Sequence, residues 1–325
     1  MKIGQYIGET NPGRKRRRNE DSCVTDPPVF AVADGMGGAQ AGELASSLAA
    51  AALTERGDGD LGGEERVAEL IQEANRRVHQ RAVDDEAASG MGTTMTVALF
   101  HPDGSISIGH VGDSRAYLYR DGRLEQLTED HSLVAELVRR GELSPEEAEV
   151  HPQRSVITRA LGTDPDVDVD TFTVQALDGD LFLLCSDGLT TMVDVDTITD
   201  VVDRNRADLR AAARALIREA NNRGGDDNIT AVLFEVIEGD SEGETMETVA
   251  LHPDEEDTLH PLPQTGLVEG DTSIVSVDAI QSALAAHERE AAEPRASLWR
   301  HLVAAIVVAV LLAVIVFLVV RGLAR

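Results

Sequence analysis

The chain has 325 residues, enough for two average domains or for one larger domain with a tail. Its formal net charge is −29, from 58 acidic and 29 basic residues, which argues against a nucleic-acid-binding protein because such a protein needs a cationic surface. The two cysteines, Cys23 and Cys185, are too few for a disulfide framework or a zinc site, which fits a reducing compartment.

Short predicted strands and helices follow one another over residues 1–237. Apolar periodicity and turn residues predict strands at 29–33, 94–100, 105–111, 115–119, 167–173, 180–186 and 229–236, and helices at 41–55, 64–81, 133–140, 145–149 and 207–222. Asp103-Gly104 and Asp121-Gly122 indicate hairpin turns, and strands joined by tight turns are antiparallel. We therefore predict an α+β domain, an antiparallel β-sandwich flanked by paired helices, and not a doubly wound parallel sheet.

The composition changes after residue 237. Residues 238–298 are acidic and rich in Pro, Gly, Ser and Thr, and such a segment buries too little apolar surface to offset its ordering entropy. We predict a largely disordered linker with one short helix at 276–292. Residues 302–320 are nineteen consecutive apolar residues flanked by Trp299 and arginines, which predicts a transmembrane helix within residues 299–325. The amino terminus lacks the apolar stretch of a signal peptide, so insertion would depend on this segment alone.

Acidic residues recur where a predicted strand meets a glycine or a turn. The clusters are Asn19-Glu20-Asp21, Asp34-Gly35, Asp113-Ser114, Asp187-Gly188 and Gly225-Asp226-Asp227-Asn228. A single Asp-Gly pair is a common turn and indicates nothing more. Five clusters at strand ends can bring carboxylates together, and carboxylate and carbonyl oxygens are the ligands that Mg²⁺ and Mn²⁺ prefer. The spacing therefore predicts a site for a hard cation.

Through these residues the chain resembles the metal-dependent protein phosphatases of type 2C, in the form found in bacteria, from about residue 4 to residue 236. The resemblance rests on collinear stretches: Gly13-x-x-Arg16-x-x-Asn19-Glu20-Asp21, Val32-Ala33-Asp34-Gly35-Met36-Gly37-Gly38 with Gly42-Glu43, Gly92-Thr93-Thr94, Val111-Gly112-Asp113-Ser114-Arg115, Thr128-x-Asp130-His131, Cys185-Ser186-Asp187-Gly188-Leu189 and Asp227-Asn228-Ile229-Thr230. It implies a fold of α-β-β-α layers with two metal ions, Mn²⁺ or Mg²⁺, at one end of the sandwich.

The resemblance also implies a role for each matching residue. Asp34 would bridge both metals, Asp187 and Asp227 would bind one of them, and the carbonyl of Gly35 would bind the other. Glu20 and Asp21 would act through coordinated waters, and Asp113 would serve a third metal. Arg16 would hold the substrate phosphate. The implied reaction is hydrolysis of phosphoserine and phosphothreonine in proteins by a metal-bridging hydroxide, without a phosphoenzyme, so the two cysteines would be structural residues.

Three features of the matching region leave alternatives open. Met36 stands where eukaryotic members tend to have a histidine proposed as the general acid. Either a metal-bound water or His131 could act as the general acid in its place. His131 could instead be a loop histidine that is hydrogen-bonded to the backbone. The basic residues 14–18 could form a diffuse cationic patch or supply one functional arginine, and the family spacing favours Arg16. Residues 133–161 would form a flap, whose arginines could dock a phosphoprotein or be solvated surface.

The resemblance favours a phosphatase that opposes membrane-associated Ser/Thr kinases and acts on them or on their substrates. We expect a single-pass protein of the cell inner membrane or plasma membrane with its catalytic domain in the cytoplasm, because phosphoprotein substrates are cytosolic. Two alternatives are a pseudophosphatase that binds phosphoproteins without turnover, and a phosphatase dedicated to an anti-sigma-factor antagonist.

Overall fold

The computed structural model describes residues 1–37, 41–55, 62–238 and 273–274. The strands are β1 (Lys2–Asn11), β2 (Asp21–Asp26), β3 (Val29–Met36), β4 (Gly92–Thr93), β5 (Met95–Phe100), β6 (Ser105–Val111), β7 (Arg115–Arg120), β8 (Arg123–Gln126), β9 (Val156–Ile157), β10 (Asp170–Gln175), β11 (Leu181–Cys185), β12 (Ile229–Ile237) and β13 (Ser273–Ile274). The helices are α1 (Ala41–Thr54), α2 (Gly63–Asp84), α3 (Leu133–Arg139), α4 (Pro145–Glu149), α5 (Asp187–Thr190), α6 (Val195–Arg204) and α7 (Leu209–Asn222), with one 3₁₀ turn at Glu86–Ala88.

The long strands form two antiparallel sheets. Sheet 1 has the order β1-β12-β11-β7-β8, and sheet 2 has the order β10-β6-β5-β3-β2, with β4 paired to β3. Asp121 and Gly122 both have positive φ, 51° and 76°, as a two-residue type I′ hairpin between β7 and β8 requires. The predicted antiparallel pairing is therefore confirmed, and it follows from local turn chemistry.

Apolar side chains fill three layers and so produce the α-β-β-α arrangement. Between the sheets, Phe234 stacks on Phe30 at 4.2 Å and on Phe182 at 5.1 Å between ring centroids. A second cluster lies between sheet 2 and helices α1 and α2, and a third lies between sheet 1 and helices α6 and α7. The predicted fold class is thus confirmed for the described domain.

Eight described strands and helices were not predicted from sequence, namely β1, β2, β4, β8, β9, β13, α5 and α6, and neither was the 3₁₀ turn. Strand β1 has a broken apolar pattern because it is mostly half-buried at the edge of sheet 1. Helix α6 is rich in β-branched residues, which lowers its helix propensity, and it is held at its start by the Asp194 cap on the amide of Thr197. Strand β10 begins three residues later than predicted because its bounds follow its pairing with β6.

Most of the predicted linker and the whole predicted transmembrane segment lie outside the described residues. Within the linker only Glu238 and Ser273–Ile274 are described, and Ser273–Ile274 pairs in parallel with Val156–Ile157. Among the residues that the structure describes, no helix combines the length and the apolar character needed to cross a bilayer. The segment at 302–320 therefore stays a prediction.

Candidate active site

The structure brings the predicted acidic residues together at one end of the sandwich. Asp34 lies on β3 directly opposite Asp21 on β2. Asp187 follows β11, Asp227 precedes β12 and Asp113 follows β6, so both sheets contribute carboxylates. Burial raises the pKa of Asp34 well above its ordinary value, and the charges of the other four carboxylates raise it further.

The same burial changes the pKa of the neighbouring acids. Desolvation raises the pKa of Asp21 to about 7 and that of Asp187 to about 6, and the charge of Asp227 adds to both shifts. The pKa of Asp113 also lies well above its ordinary value, first through burial and then through the charge of Asp187. Carboxylates that are buried together hold their protons because each charge costs solvation and repels the next. A divalent cation among them would reverse both effects.

Hydrogen bonds satisfy only part of this cluster. Asp21 Oδ2 accepts from Ser186 Oγ at 2.7 Å and from Thr230 Oγ1 at 2.6 Å, and the Asp34 carboxyl is hydrogen-bonded to that of Asp187. Within the described residues, Asp21 Oδ1 and Asp187 Oδ1 are the buried side-chain polar atoms that lack a partner. Buried oxygens without donors are costly unless a cation lies beside them, so this oxygen-only donor set fits Mn²⁺ or Mg²⁺. Among the described residues, no group of three or more His, Cys, Asp or Glu side chains is already arranged as the ligands of one metal ion.

Glycines let the acid-bearing segments approach one another closely. A Cβ on Gly35 would lie 2.1 Å from the carbonyl oxygen of Gly42 and 2.5 Å from that of Glu20. A Cβ on Gly188 would lie 2.0 Å from the carbonyl oxygen of Asn228. At Asp34-Gly35 and Asp187-Gly188 the glycine is therefore required by packing and not by a turn.

Two threonines fix the backbone of Asp34. The Asp34 amide donates to Thr94 Oγ1 at 2.9 Å, and its carbonyl accepts from Thr93 Oγ1 at 2.8 Å and from the Thr94 amide at 2.9 Å. Thr94 Oγ1 is in turn 2.7 Å from Ser114 Oγ, beside Asp113. The Gly92-Thr93-Thr94 stretch thus positions the central carboxylate, a role that sequence reasoning did not assign.

The basic run lies on the loop between β1 and β2. Arg16 is half-buried, whereas Arg14, Lys15, Arg17 and Arg18 are exposed. Arg16 Nη2 donates to Asp227 Oδ2 at 2.9 Å, and this ion pair joins Arg16 to the carboxylate cluster. The structure therefore places Arg16 beside Asp227, one of the predicted metal ligands.

Asn228 ties both ends of this loop to the start of β12. Its Nδ2 donates to the Pro12 carbonyl at 3.0 Å and to the Arg18 carbonyl at 2.8 Å, and its Oδ1 accepts from the Glu20 amide at 2.8 Å. The Glu20 carbonyl accepts from the Gly35 amide at 3.1 Å. In the sequence, Asn228 belongs to the Asp227-Asn228-Ile229-Thr230 stretch, but no role was predicted for it. Its position next to Asp227 was the available signal.

His131 is a structural residue in this arrangement. It is buried, its Nδ1 accepts from the Gly112 amide at 3.0 Å and its Nε2 lies 3.0 Å from Asp170 Oδ2. Its backbone also pairs with Gly112, through the His131 amide and the Gly112 carbonyl at 2.8 Å. Both ring nitrogens are engaged and burial lowers the pKa of the imidazole, so of the two alternatives for His131 the loop histidine is the one that the structure supports.

Neither cysteine is suited to nucleophilic chemistry. Cys185 is fully buried in β11, and desolvation raises the pKa of its thiol to about 12. Burial likewise raises the pKa of Cys23 to about 11. The thiolate is the nucleophilic form and is scarce at neutral pH in both residues.

Comparison with known proteins agrees with this site. The family model described as Protein phosphatase 2C matches residues 14–233. The Serine/threonine phosphatase stp of Listeria welshimeri is 42% identical over 237 residues, which is 70% of this chain and 93% of that protein. The crystal structure of the Mycobacterium tuberculosis serine/threonine phosphatase PstP/Ppp is 38% identical with a TM-score of 0.68, over 73% of this chain and 100% of that one. The catalytic domain of serine threonine protein phosphatase PstP, solved in complex with 2 manganese ions, is 36% identical with a TM-score of 0.66, over 73% of this chain and 99% of that one. The chain therefore belongs to the protein phosphatase 2C family and is a protein Ser/Thr phosphatase.

Proposed function

We propose that this chain hydrolyses phosphoserine and phosphothreonine in proteins with two divalent cations, Mn²⁺ or Mg²⁺, held in the carboxylate cluster. The proposed reaction has no covalent phosphoenzyme step. The carrying observation is the buried group of carboxylates with raised pKa values and two oxygens, Asp21 Oδ1 and Asp187 Oδ1, that lack partners among the described residues. The two manganese ions of the related PstP structure support the same choice of metal.

The position of each carboxylate in the cluster determines which cation we assign to it. Asp34 lies at the centre of the cluster and would contact both cations, while Asp187 and Asp227 would hold one and the Gly35 carbonyl the other. When bound, the two ions supply Lewis-acid activation of a water nucleophile and neutralise charge that develops on the phosphoryl group. Asp21 has one oxygen engaged by Ser186 and Thr230, which leaves Oδ1 to orient a water.

Glu20 and Asp113 occupy the two flanks of the cluster. A Cβ on Gly42 would lie 2.8 Å from both Glu20 Oε2 and the Gly35 carbonyl oxygen, so the Glu20 carboxylate lies near Gly35, where it would hold a water of the second ion. Asp113 is buried and interacts electrostatically with Asp187, and we assign it to a third, looser cation.

Arg16 would bind the substrate phosphate. Its guanidinium is half-exposed and already 2.9 Å from Asp227, so it can direct further N–H groups to a phosphate oxygen while it touches a ligand carboxylate. A planar guanidinium donates several N–H groups in a fixed geometry, which suits phosphate recognition. Direct attack by water is favoured because the pKa of each cysteine thiol is too high for a thiolate nucleophile.

Hydrolysis of a phosphothreonine peptide with Mn²⁺ and with excess chelator tests the proposal. Removing a carboxylate ligand leaves the positive charge of the adjacent cations uncompensated, so Asp34→Ala and Asp227→Ala should each lose about a hundredfold or more in kcat. Asp103→Ala is the matched control, because Asp103 also precedes a glycine but lies in an exposed hairpin, where its side chain accepts hydrogen bonds from Ser105.

Two results would contradict the proposal. Full wild-type turnover in excess chelator would exclude metal-dependent hydrolysis. A metal-loaded protein that binds the phosphopeptide and releases no phosphate would instead be a pseudophosphatase.

The location of the enzyme is a further part of the proposal. The apolar residues 302–320 lie outside the described residues, and we propose that they anchor the chain to the inner or plasma membrane, with the catalytic domain in the cytoplasm near Ser/Thr kinases. Carbonate extraction of membranes should retain the full-length chain and release a chain that ends at residue 298. Equal release of both chains would contradict the anchor.

A further inference from the structure

The loop that carries Arg16 also carries exposed arginines. Arg14 and Arg17 are exposed, and neither has an acidic partner among the described residues. The other two basic residues of the run are compensated, Lys15 by Asp226 at 2.8 Å and Arg18 by Glu43 at 3.6 Å.

The end of helix α7 continues this cationic surface. Arg14 Nη2 donates to Asn222 Oδ1 at 3.4 Å, and Arg218 lies one helical turn before Asn222 on the same face. Arg218 is exposed and also has no acidic partner within the described part of the chain. By contrast, Arg214, a further turn back, is paired with Glu9 at 3.0 Å.

The position of Arg14 is fixed by its backbone. The amides of Arg14 and Lys15 both donate to the Gly225 carbonyl, at 2.7 and 3.2 Å, and Asn228 holds the two ends of the loop. The acidic side chains nearby are already engaged, Glu219 by Arg223 at 2.9 Å and Asp227 by Arg16 at 2.9 Å. Arg14 is therefore held beside Asn222 on α7, and no acidic side chain among the described residues neutralises Arg14, Arg17 or Arg218.

We propose that Arg14, Arg17 and Arg218, named here the arginine surface, dock acidic residues that flank the phosphorylated residue of a protein substrate. This inference rests on the proposed function, since it takes the phosphate at Arg16 as the reference point. An extended peptide advances about 3.3–3.6 Å per residue, so Arg14 and Arg17, within two residues of Arg16, match acidic side chains within about three positions of the phosphoresidue. Arg218 extends the surface to residues farther along the peptide.

Two phosphothreonine peptides that differ only in flanking Asp or Asn residues test this proposal on the full-length chain. An exposed ion pair contributes about 1.5- to 5-fold, so three of them together predict a preference of about tenfold in kcat/KM for the acidic peptide. The triple variant Arg14→Gln, Arg17→Gln and Arg218→Gln should lose this preference, and its rate on an aryl phosphate should stay within twofold of wild type. The preference of the wild type should also fall as salt is raised, because the groups are exposed.

Arg123→Gln is the matched control. Arg123 is an exposed arginine without an acidic partner in the described residues, and it lies on β8 at the opposite edge of sheet 1 from β1. It should keep the full preference. Equal rates of the wild type on the two peptides, or an equal loss in the triple variant on both peptides and on the aryl phosphate, would overturn the proposal.

Binding assays separate the failure of docking from the failure of the proposed function. If the wild type hydrolyses no phosphate ester with Mn²⁺, the proposed function fails, and fluorescence anisotropy of the labelled peptides still measures whether the acidic one binds more tightly through the arginine surface. Loss of binding to vesicles of anionic phospholipid in the triple variant, with peptide preference unchanged, would assign the surface to lipid headgroups and overturn the substrate-docking proposal.

Discussion

Replacing Asn228 by Ala removes the side chain that ties the Arg16 loop to β12. The side-chain amide of Asn228 makes three hydrogen bonds. It donates to the carbonyls of Pro12 and Arg18 at 3.0 and 2.8 Å and accepts from the backbone amide of Glu20 at 2.8 Å. Asn228 is only 4% exposed, so water does not replace these bonds at the side-chain position itself.

The loss in stability follows from the number of bonds. Each net hydrogen bond contributes about 0.5–1.5 kcal/mol, so we expect Asn228→Ala to lower the free energy of unfolding by about 2–4 kcal/mol. A domain of this kind has a total stability of about 5–15 kcal/mol, so the variant should remain folded at 25 °C. Its kcat/KM on an aryl phosphate should fall at least about tenfold, because a displacement of Arg16 by a fraction of an ångström already misplaces the bound phosphate.

Urea unfolding followed by circular dichroism, together with aryl phosphate kinetics, measures both effects. Asn222→Ala is the control, since Asn222 is exposed and its side chain accepts a long hydrogen bond of 3.4 Å from Arg14. The control should change the free energy of unfolding by less than about 0.5 kcal/mol. An Asn228→Ala protein with wild-type stability and wild-type kcat/KM would refute the reasoning that this amide positions the loop.

Three further predictions concern the loop, the carboxylates and the linker. On an aryl phosphate, Arg16→Ala should lose about 2–4 kcal/mol in kcat/KM by analogy with the removal of an electrostatic stabiliser, and far more than the same substitution at each of the exposed arginines of the run; equal losses would favour a diffuse patch. Because the folded-state pKa of Asp21 is raised to about 7 from 3.8, the neutral acid stabilises the metal-free protein at low pH, and this contribution is lost as the pH rises through about 7. The melting temperature in chelator should therefore fall from pH 5 to pH 8, more steeply than in Asp21→Asn, and an identical pH dependence of the two proteins would contradict the assignment. A chain that ends at Glu238 should be soluble and hydrolyse an aryl phosphate at a rate within about threefold of the full-length chain, because every matched motif precedes that residue; a folded but inactive product would show that the domain boundary is wrong.

The sequence by itself determined the features that depend on local chemistry. Hairpin turns such as Asp121-Gly122 require positive φ, and that requirement is visible in two adjacent residues. The acidic residues beside glycines at strand ends predicted a hard-cation site in the same way, and their order along the chain identified the family that the comparisons then showed. Hairpin turns and paired helices predicted an antiparallel sandwich flanked by helices, and the resemblance to the family implied the α-β-β-α layers.

Only the tertiary structure decided which side chains act on one another. Asn228 reaches Pro12 across 216 positions in sequence, and Arg16 reaches Asp227 across 211, so no periodicity or turn preference could indicate either contact. The tertiary structure likewise turned Arg16 towards the carboxylates while it left Arg14 and Arg17 at the surface, and it engaged both ring nitrogens of His131. The physical reason is that local backbone preferences are set within a few residues, whereas these contacts exist only after the two sheets have packed together.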